Sequence, residues 1–567
     1  MTDNESTHIS DWSMRPWVLA AMLGIAGLLV WYLTDVPQRE FTPWRAALGA
    51  FVFFGAGGFA LTVDRANWKR PLAFSLLIGA IMAGIAWRVA GADDHYSDAG
   101  YWMAAGVVSI VLAIPLFQSG FHRLRWATPY KETHFHVWTD AISVAGALAF
   151  FALSWLLANL LAELFAAIEI DLLRELLRDD WFNASFAGVT IGAALGVLRN
   201  QLKVIGTLQS VVMLVFSLIA VPFAATLVIF ILAVLVSGLD VLWGATRSPT
   251  PLLLSCAAAS FVLVNSVVRN GDEEASGNRV MRWAALVLAL GILPLAIMAA
   301  ISTGTRIAEY GLSPERIWGL VAIVVAVAYG VAYFVAPIRG RMAHWMDRVR
   351  TANLHLAVGT CVLTFLLALP ILDFGAISTR DQLDRLASGK VETDEFDFSA
   401  LRWDFGDAGR AALDRLAKSD DEQIAEMAAS AAAQNTRTYR RVEGRSQRDE
   451  RMDHLRIAFR DESLRQRVEQ RIRDTSWLCN MPCVALDAGD QDNDRRMVAI
   501  VENGHVQWLD FDLANPDAAS VGAVDIEESE FVRNPIPPQH PGSSVEIREW
   551  HGRRIYVDGK PAGQPFE

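Results

Sequence analysis

Residues 352–390 read ANLHLAVGTCVLTFLLALPILDFGAISTRDQLDRLASGK, and the character of the chain changes within this stretch. Up to Asp373 the side chains are mostly apolar, whereas beyond it charged and polar residues predominate. A helix needs about 20 mainly apolar residues to cross the roughly 30 Å hydrocarbon core of a bilayer. The stretch therefore predicts a last membrane-spanning helix that ends near Asp373, with a water-soluble region after it.

Apolar runs of similar length fill the chain upstream of this point. We count eleven in all, at residues 14–33, 44–62, 71–90, 100–118, 138–166, 183–198, 205–237, 250–267, 282–301, 315–336 and 352–372. Transmembrane β-strands are shorter and alternate in polarity, so continuous runs of this length predict helices. The composition agrees, since 53% of the 567 residues are hydrophobic and the mean hydropathy is +0.28. The predicted fold class is an α-helical polytopic membrane bundle of about eleven transmembrane helices, followed by a C-terminal extracytoplasmic α+β domain.

Two of the runs depart from ordinary span length. Run 183–198 is short, and run 205–237 is long and contains Pro222 near its middle. At about 1.5 Å per residue the long run exceeds the hydrocarbon core, so it must tilt, kink or project from it. One kinked helix and a hairpin of two half-spans both fit the sequence, and the hairpin would invert every loop downstream.

The charges of the loops predict the orientation of the chain. With the N-terminus in the cytoplasm, the loops on the cytoplasmic side hold fourteen Lys and Arg residues and the opposite loops hold seven. Loops rich in Lys and Arg stay in the cytoplasm, so this bias favours that orientation in the inner membrane. We predict a cytoplasmic tail at 1–13, a transmembrane domain at 14–373, an extracytoplasmic helical region at 374–480 and an extracytoplasmic β-rich subdomain at 481–567.

The last part of the chain has the pattern of a small antiparallel sheet. Short strand-like runs such as RMVAIVE (496–502) and HVQWLDFD (505–512) are separated by turn residues. Alternating or β-branched runs bounded by Gly, Asn and Asp are typical of strands joined by hairpins.

The bulk composition disfavours several classes of function. A net charge of -12 argues against nucleic acid as a partner, because phosphate binding needs a basic face. Four cysteines are too few for a disulfide framework, and no P-loop, GxSxG or HExxH motif occurs. A non-enzymatic protein is therefore favoured.

Small residues recur every fourth position on the short sixth run, at Ala184, Gly188, Gly192 and Gly196. Such a ridge lets the backbone of another helix approach closely. Helix packing is the favoured interpretation, and a sliding or gating helix is the alternative.

Ionisable residues are scarce in the middle of the runs. Asn159 and Glu163 lie near one end of the fifth run, and no Asp or Glu occupies the middle of a confident span, which disfavours a proton-coupled pump. His134 and His136 are predicted to lie in a cytoplasmic loop, where two histidines alone give weak evidence for a metal site.

Cys479 and Cys483 are four residues apart in a region predicted to lie outside the cytoplasm. In an oxidising compartment they would close a small structural disulfide. Unpaired thiols and a redox or metal role are the alternatives, although the spacing is not that of a CxxC motif.

Three aspartates, Asp490, Asp492 and Asp494, match the first ligand positions of a calcium-binding loop. The sixth position is Arg495 rather than glycine, and the twelfth is Val501 rather than glutamate. A solvated acidic turn and a weak calcium site both fit this pattern. No other cofactor is expected.

Two longer stretches carry a family resemblance. Residues 305–316 read TRIAEYGLSPER, and residues 377–416 read ISTRDQLDRLASGKVETDEFDFSALRWDFGDAGRAALDRL. Both resemble the domain of unknown function 4153 family of bacterial polytopic membrane proteins. The resemblance implies a membrane architecture without an established activity. It marks the following positions for testing: Arg306, Tyr310, Gly311, Arg316, Ser378, Thr379 and Arg380.

The first of these motifs also makes structural sense from its residues alone. Gly311 suits the end of one helix, and Ser313 with Pro314 suits the start of the next. Arg306 and Arg316 are then expected at the outer membrane interface, where they would bind lipid phosphate or carboxylates.

The sequence as a whole favours an envelope sensor or scaffold that presents an extracytoplasmic domain. Its expected partners are membrane lipids and another envelope protein. The alternative is a transporter or lipid-handling protein, in which the long run 205–237 and the glycine ridge of 183–198 line a path.

Overall fold

The computed structural model contains eleven helices, within its described residues, that are long and apolar enough to cross a membrane. It describes residues 12–37, 41–238, 249–271, 275–342, 344–434, 437, 451–475, 478–492, 495–502, 505–512, 545–549, 553–557 and 560–566. The membrane part comprises α1 (Arg15–Thr34), α2 (Pro43–Thr62), α3 (Lys69–Ala90), α4 (Ala99–Gln118), the short α5 (Phe121–Leu124), α6 (Tyr130–Ala166), the short α7 (Leu172–Arg178), α8 (Asp180–Asn200), α9 (Leu202–Ser237), α10 (Pro249–Val268), α11 (Arg279–Tyr310), α12 (Pro314–Arg339) and α13 (Trp345–Ala368). The predicted architecture of a polytopic helical bundle followed by an α+β region is confirmed, and the chain is a multi-pass membrane protein.

Two helices extend well beyond their apolar runs. Helix α6 begins at Tyr130 rather than at residue 138, directly after Pro129, and α11 continues to Tyr310 rather than ending at residue 301. A helix continues as long as its backbone hydrogen bonds are satisfied, whatever the polarity of its side chains. His134 and His136 therefore lie inside α6, and the prediction of a histidine loop is wrong.

The long seventh run forms one continuous helix. Helix α9 runs from Leu202 to Ser237 with Pro222 inside it, so it is about 54 Å long at 1.5 Å per residue. Of the two alternatives for this run, the structure has the single helix. The loops downstream therefore alternate between the two sides of the membrane as expected for eleven spans.

Helix α11 lies at the centre of the second half of the bundle. Leu288 and Leu295 are fully buried on it, and they belong to an apolar cluster that also includes Leu253 of α10 and Tyr333 of α12. A second cluster joins α3 and α4 to the start of α12 and the end of α13, through residues such as Met82, Trp318 and Leu367. The two halves of the bundle are thus joined by apolar packing.

The glycine ridge of α8 lies against α1. A Cβ atom added at Gly188 or Gly192 would lie against the carbonyl oxygens of Leu23 and Leu19, far inside van der Waals contact. A Cβ atom added at Gly196 would meet the backbone of Pro16 in the same way. The two backbones thus approach each other along three successive turns, as small residues allow.

Four helices follow the last span and belong to the same compact unit as the membrane helices: α14 (Phe374–Ala387), α15 (Phe398–Trp403), α16 (Gly406–Leu416) and α17 (Glu422–Ala432). Helix α14 starts close behind α13, and the carboxylate of Asp373 caps it by accepting from the Ala376 amide at 2.9 Å. The first compact unit therefore continues beyond the last span to Ala433, apart from residues 389–397.

The second compact unit consists of residues 389–397 and 434–567. Its first sheet has the strand order β1 (Leu455–Ile457), β2 (Cys483–Asp492), β3 (Arg495–Glu502) and β4 (His505–Asp512), with β1 parallel to β2 and the other pairs antiparallel. Helix α18 (Glu462–Asp474) packs Leu464, Val468 and Ile472 against this sheet. Strands β5 (Val545–Glu549), β6 (Arg553–Val557) and β7 (Lys560–Phe566) form a second, antiparallel sheet.

The contact between α1 and α8 predicts a specific effect of substitution. Gly192→Ala places a methyl group against the Leu19 carbonyl and should lower the free energy of unfolding by about 1–3 kcal/mol, the usual cost of overpacking. The measurement is the midpoint of thermal unfolding in detergent micelles.

Gly359→Ala in α13 is the matched control, because a Cβ atom there meets nothing within 4 Å. It should leave the midpoint unchanged or raise it slightly, since alanine favours the helix by up to about 1 kcal/mol. Equal shifts in the two variants would contradict the close approach of α1 and α8.

Candidate functional site

The first family motif forms the tight turn between α11 and α12. Helix α11 ends at Tyr310, Gly311 follows with φ +74°, and Ser313 caps α12 by accepting from the Arg316 amide at 3.4 Å. Pro314 occupies the first helical position, as the sequence predicts. Because the turn interrupts the helix, the Tyr310 and Leu312 carbonyls and the Leu312 amide have no hydrogen-bond partner within a helix.

The second family motif supplies those partners from α14. Asp381 accepts from the Leu312 amide at 2.7 Å, and the Gln382 amide group donates to the carbonyls of Tyr310 and Leu312, both at 2.9 Å. Arg385 donates to the Ala308 and Glu309 carbonyls in the last turn of α11. We call this set of contacts between the turn and Asp381, Gln382 and Arg385 the clasp.

Gly311 leaves room for the side chains of the clasp. A Cβ atom at this position would lie 2.6 Å from Nε2 of Gln382 and 2.8 Å from Oδ2 of Asp381. The positive φ is also unfavourable for a residue with a side chain. The motif glycine thus serves both the turn and the contact with α14.

The motif arginines are placed differently from one another. Arg316 donates to the Tyr310 and Gly311 carbonyls, at 3.2 and 2.6 Å, and its guanidinium lies 5.6 Å from the centroid of the Tyr310 ring. Arg306 and Arg380 are exposed. Lipid phosphate or a carboxylate remains a predicted partner of Arg306, whereas Arg316 donates to the carbonyls of the turn itself.

Ser378 and Thr379 are buried in α14. Thr379 donates its hydroxyl to the Gly375 carbonyl at 2.8 Å, and Ser378 is 0% exposed. These two motif positions therefore face the packed side of α14, on which the helix meets its neighbours.

A second polar contact lies at the same end of the bundle, between the 3₁₀ turn Asp93–His95 and α16. His95 lies 3.0 Å from Oδ1 of Asp407, and Arg410 pairs with Asp94 at 3.2 Å. Tyr96 and Phe405 form a β-bridge beside them. The hydrogen bond from His95 lowers the pKa of Asp407 below its ordinary value.

Next to this turn, Asp98 is almost fully buried at the start of α4. Its carboxylate accepts from the indole groups of Trp102 and Trp318, at 3.1 and 3.2 Å. Burial raises the pKa of Asp98, and the two indole N–H groups oppose this effect. Arg88 lies 3.5 Å above the Trp102 ring and donates to the Ala368 carbonyl. Sequence reasoning missed this cluster, although the acidic and aromatic stretch DDHYSDAGYW (93–102) signals it.

The opposite end of the bundle contains polar groups that sequence reasoning also missed. Gln118, the last residue of α4, donates to the Leu61 carbonyl at 2.8 Å and to Oδ1 of Asp140 on α6 at 3.2 Å. Arg199 of α8 donates to the Ala60 carbonyl, and Arg15 of α1 donates to the Arg199 carbonyl, both at 2.9 Å. An aspartate thus lies among helix ends in the first third of α6.

A buried ring of hydrogen bonds lies nearby, where α6, α10, α12 and α13 meet. Tyr333 donates to Asn353 at 2.7 Å and accepts from Asn265 at 2.8 Å. Asn353 donates to Asn265 at 2.7 Å and to Tyr130 at 3.3 Å, and Tyr130 donates to Asn265 at 3.3 Å. Each side-chain group in the ring has a partner, so the ring joins four helices without requiring a ligand.

The remaining predicted site residues lie in the second compact unit. Cys479 and Cys483 are joined by a disulfide, and the Glu502 carboxylate accepts from the amides of Cys479 and Met481 at 3.0 and 2.8 Å. Asp490 and Asp492 lie on β2, but their side chains and the whole of Asp494 fall outside the described residues. Among the residues that are described, no group of three His, Cys, Asp or Glu side chains is arranged to hold a metal.

These features define a polytopic membrane protein in which the first helices after the last span are bound to the loops of the bundle. The model of the family described as Domain of unknown function (DUF4153) matches residues 48–416, and the chain belongs to that family. The match ends at the last residue of α16, so it includes the clasp and omits both sheets. No curated protein and no solved structure matches the chain.

The clasp predicts a strong effect of a single methyl group. In Gly311→Ala the new Cβ atom collides with Gln382 and Asp381, so α14 should separate from the turn. Hydrogen exchange of residues 374–387, followed by mass spectrometry, should become at least about tenfold faster, which corresponds to about 1.4 kcal/mol of lost protection.

Gly389→Ala is the control for backbone strain, because Gly389 also has a positive φ, +68°, but open space around its Cβ position. It should leave the exchange of residues 374–387 unchanged. The clasp would be contradicted by identical exchange rates in the two variants.

The contact between Asp407 and His95 predicts a pH dependence. Because the pKa of Asp407 is lowered in the folded state, its contribution to docking is fully present above about pH 4 and is lost as the pH falls through the lowered value. The effect should be small, since the Asp407 side chain is 84% exposed. The measurement is hydrogen exchange of residues 406–416 as a function of pH.

Asp407→Asn should remove this component of the pH dependence, whereas Asp414→Asn, at an exposed position of the same helix, should retain it. Retention of the full pH dependence in Asp407→Asn would assign it to another group.

Proposed function

We propose that the protein is a non-enzymatic scaffold or sensor of the inner membrane, which presents residues 374–567 on the extracytoplasmic side. The observation that carries this proposal is the clasp. Three side chains of α14 bind the backbone of the turn between α11 and α12, so the first segment after the last span is bound directly to the bundle. Such a joint suits a protein that holds or reports on an external domain.

Three features support the proposed orientation. The number of candidate spans among the described residues is odd, and the loops predicted to be cytoplasmic carry the larger share of Lys and Arg. The disulfide between Cys479 and Cys483 suits an oxidising compartment such as the periplasm. The proposed partners are membrane lipids and another envelope protein, and calcium at Asp490, Asp492 and Asp494 remains a weaker proposal.

The rival function is transport or lipid handling along α9 and the glycine ridge of α8. In its favour, α9 is long enough to project from the membrane. Against it, Gly188, Gly192 and Gly196 are occupied by the α1 backbone, and α11 is surrounded by apolar side chains. The scaffold or sensor role is therefore the better supported of the two.

A set of reporter fusions tests the orientation. Alkaline phosphatase, which is active only outside the cytoplasm, is joined after residues 128, 271 and 388, and a fluorescent protein that matures in the cytoplasm is joined at the same points. We expect active phosphatase at 388 and fluorescence at 128 and 271. An inactive phosphatase at 388 would overturn the proposed side.

Photo-crosslinking in intact cells tests the scaffold role. A photoreactive residue replaces Asp384, Asp414 or Glu426, which are exposed on α14, α16 and α17. We expect a discrete adduct with one envelope protein from at least one of these positions. The control is Leu235, which is 76% exposed at the end of α9 and should react with lipid. Adducts from none of the three positions would argue against a protein partner on these helices.

A further inference from the structure

The carboxylate of Asp140 has an unusual environment. It lies in α6 among the ends of α1, α2, α4 and α8, and one oxygen, Oδ1, accepts from Gln118. The other oxygen, Oδ2, is buried and has no hydrogen-bond partner among the described residues. A buried carboxylate that is ionised normally has a cation or several donors around it, because desolvation of the charge is costly.

Among the described residues, the cation that acts on Asp140 does so without a direct ion pair. Arg199 acts on Asp140 through its positive charge, but its guanidinium donates to the Ala60 carbonyl, and within the described part of the chain no ion pair closer than 4.0 Å joins the two side chains. Arg15 donates to the Arg199 carbonyl and lies 3.9 Å from Asp64. Asp140 therefore has one hydrogen-bond donor, the neutral amide of Gln118, and a guanidinium that acts on it without an ion pair.

Other polar atoms around Asp140 are also buried without partners. Ser143, 1% exposed, lies at i+3 from Asp140 on the same side of α6, and its hydroxyl oxygen has no partner in the described structure. The hydroxyl of the preceding residue, Thr139, is 5% exposed and is also without a partner there. The Oε1 atom of Gln118 is a further buried acceptor of this kind. Ser and Thr hydroxyls in helices ordinarily donate to a carbonyl one turn earlier. Because these two hydroxyls do not, each can still form a hydrogen bond with another group.

Charged or titratable side chains near Asp140 come from α6 and from the helices packed against it. Helix α6 supplies His136, one turn before Asp140, and Glu132, which is exposed at its start. Helix α8 supplies Arg199, α1 supplies Arg15, Asp64 follows α2, and α4 supplies only the neutral Gln118. Helix α9 contacts α6 through Phe216, which packs on Trp138, and α13 contacts α6 through Asn353, which donates to Tyr130. Neither contact adds a charged side chain.

We propose that Asp140 is a proton-binding site of the membrane domain. A proton carried by water forms an O–H bond with Oδ2, and the hydronium ion that delivers it becomes water. The charge of Asp140 changes from -1 to 0, and the reverse step returns the proton to water. In its neutral form Asp140 becomes a donor as well as an acceptor, which matches the unpartnered hydroxyl and amide oxygens beside it.

His136 provides the route for the proton. It lies one helical turn from Asp140 towards the start of α6, roughly 6 Å away at i,i−4 spacing, and its side chain is half-buried. Imidazole can accept a proton on one nitrogen and release one from the other, which makes it a suitable relay between water and the carboxylate. This proton-binding site goes beyond the proposed scaffold or sensor role, and neither depends on the other.

Infrared difference spectroscopy of the full-length protein in lipid nanodiscs tests the proposal. The carbonyl stretch of protonated carboxylic acids is followed as the pH is lowered stepwise, for the wild type, Asp140→Asn and Asp347→Asn. Asp347 is the matched control, because its carboxylate pairs with Arg350 at 2.6 Å near the same end of the bundle. We expect Asp140→Asn to lose the intensity of one carboxyl group, within a pH range where Asp347→Asn is unchanged.

A second variant, Gln118→Leu, retains the Asp140 carboxylate and removes its hydrogen-bond donor. It allows the proposal to be tested even if Asp140→Asn does not fold. The donor stabilises the ionised form, so the transition assigned to Asp140 should move to higher pH by about one unit, equivalent to one ordinary hydrogen bond of about 1.4 kcal/mol. Spectra of Asp140→Asn or of Gln118→Leu that superimpose on those of the wild type would overturn the proposal.

Discussion

The constraint on which the structure depends is that the last carbonyl groups of every helix have no partner within the helix. Near a membrane such groups are costly when buried, and the helix dipole favours a cation beside them. In this protein a long polar side chain from another helix repeatedly supplies the hydrogen bond. Arg15 serves the end of α8, Arg199 and Gln118 the end of α2, Arg88 the end of α13, Arg350 the end of α10, and Arg316, Gln382 and Arg385 the end of α11.

The arginines at the helix ends therefore have a structural role in addition to the one used to predict orientation. In a count of loop charges they indicate orientation only, whereas in the fold several of them are structural bonds between helices that are distant in sequence. It also separates the two ends of the bundle. At the end with the clasp, Asp381 and Asp407 each have partners that account for their charge. At the other end the Asp140 carboxylate has a single hydrogen-bond donor, the neutral amide of Gln118, and its second oxygen has no partner among the described residues. The carboxylate proposed to bind a proton therefore lies at that end.

The sequence predicts the eleven helices because hydropathy is a property of local segments, and the tight turn at Gly311 to Pro314 follows from local residue preferences. It predicts neither the clasp nor the contact of His95 with Asp407, because each joins residues far apart in the chain. Asp140 escapes detection because it lies beside the polar end of its apolar run. Strand β7 escapes because its sequence KPAGQPF contains Pro and Gly, which disfavour strands, and its hydrogen bonds to β6 override that preference.

The clasp has a consequence for the order in which the protein is assembled. The turn between α11 and α12 is completed by Asp381, Gln382 and Arg385, which are synthesised about seventy residues later. During synthesis the hairpin of α11 and α12 therefore enters the bilayer with the carbonyls at its tip bonded to water. Those waters are exchanged for α14 only after the last span has been inserted and α14 has been synthesised. Closure of the clasp thus marks the completion of insertion, and a chain that stops short of α14 keeps an open, hydrated turn.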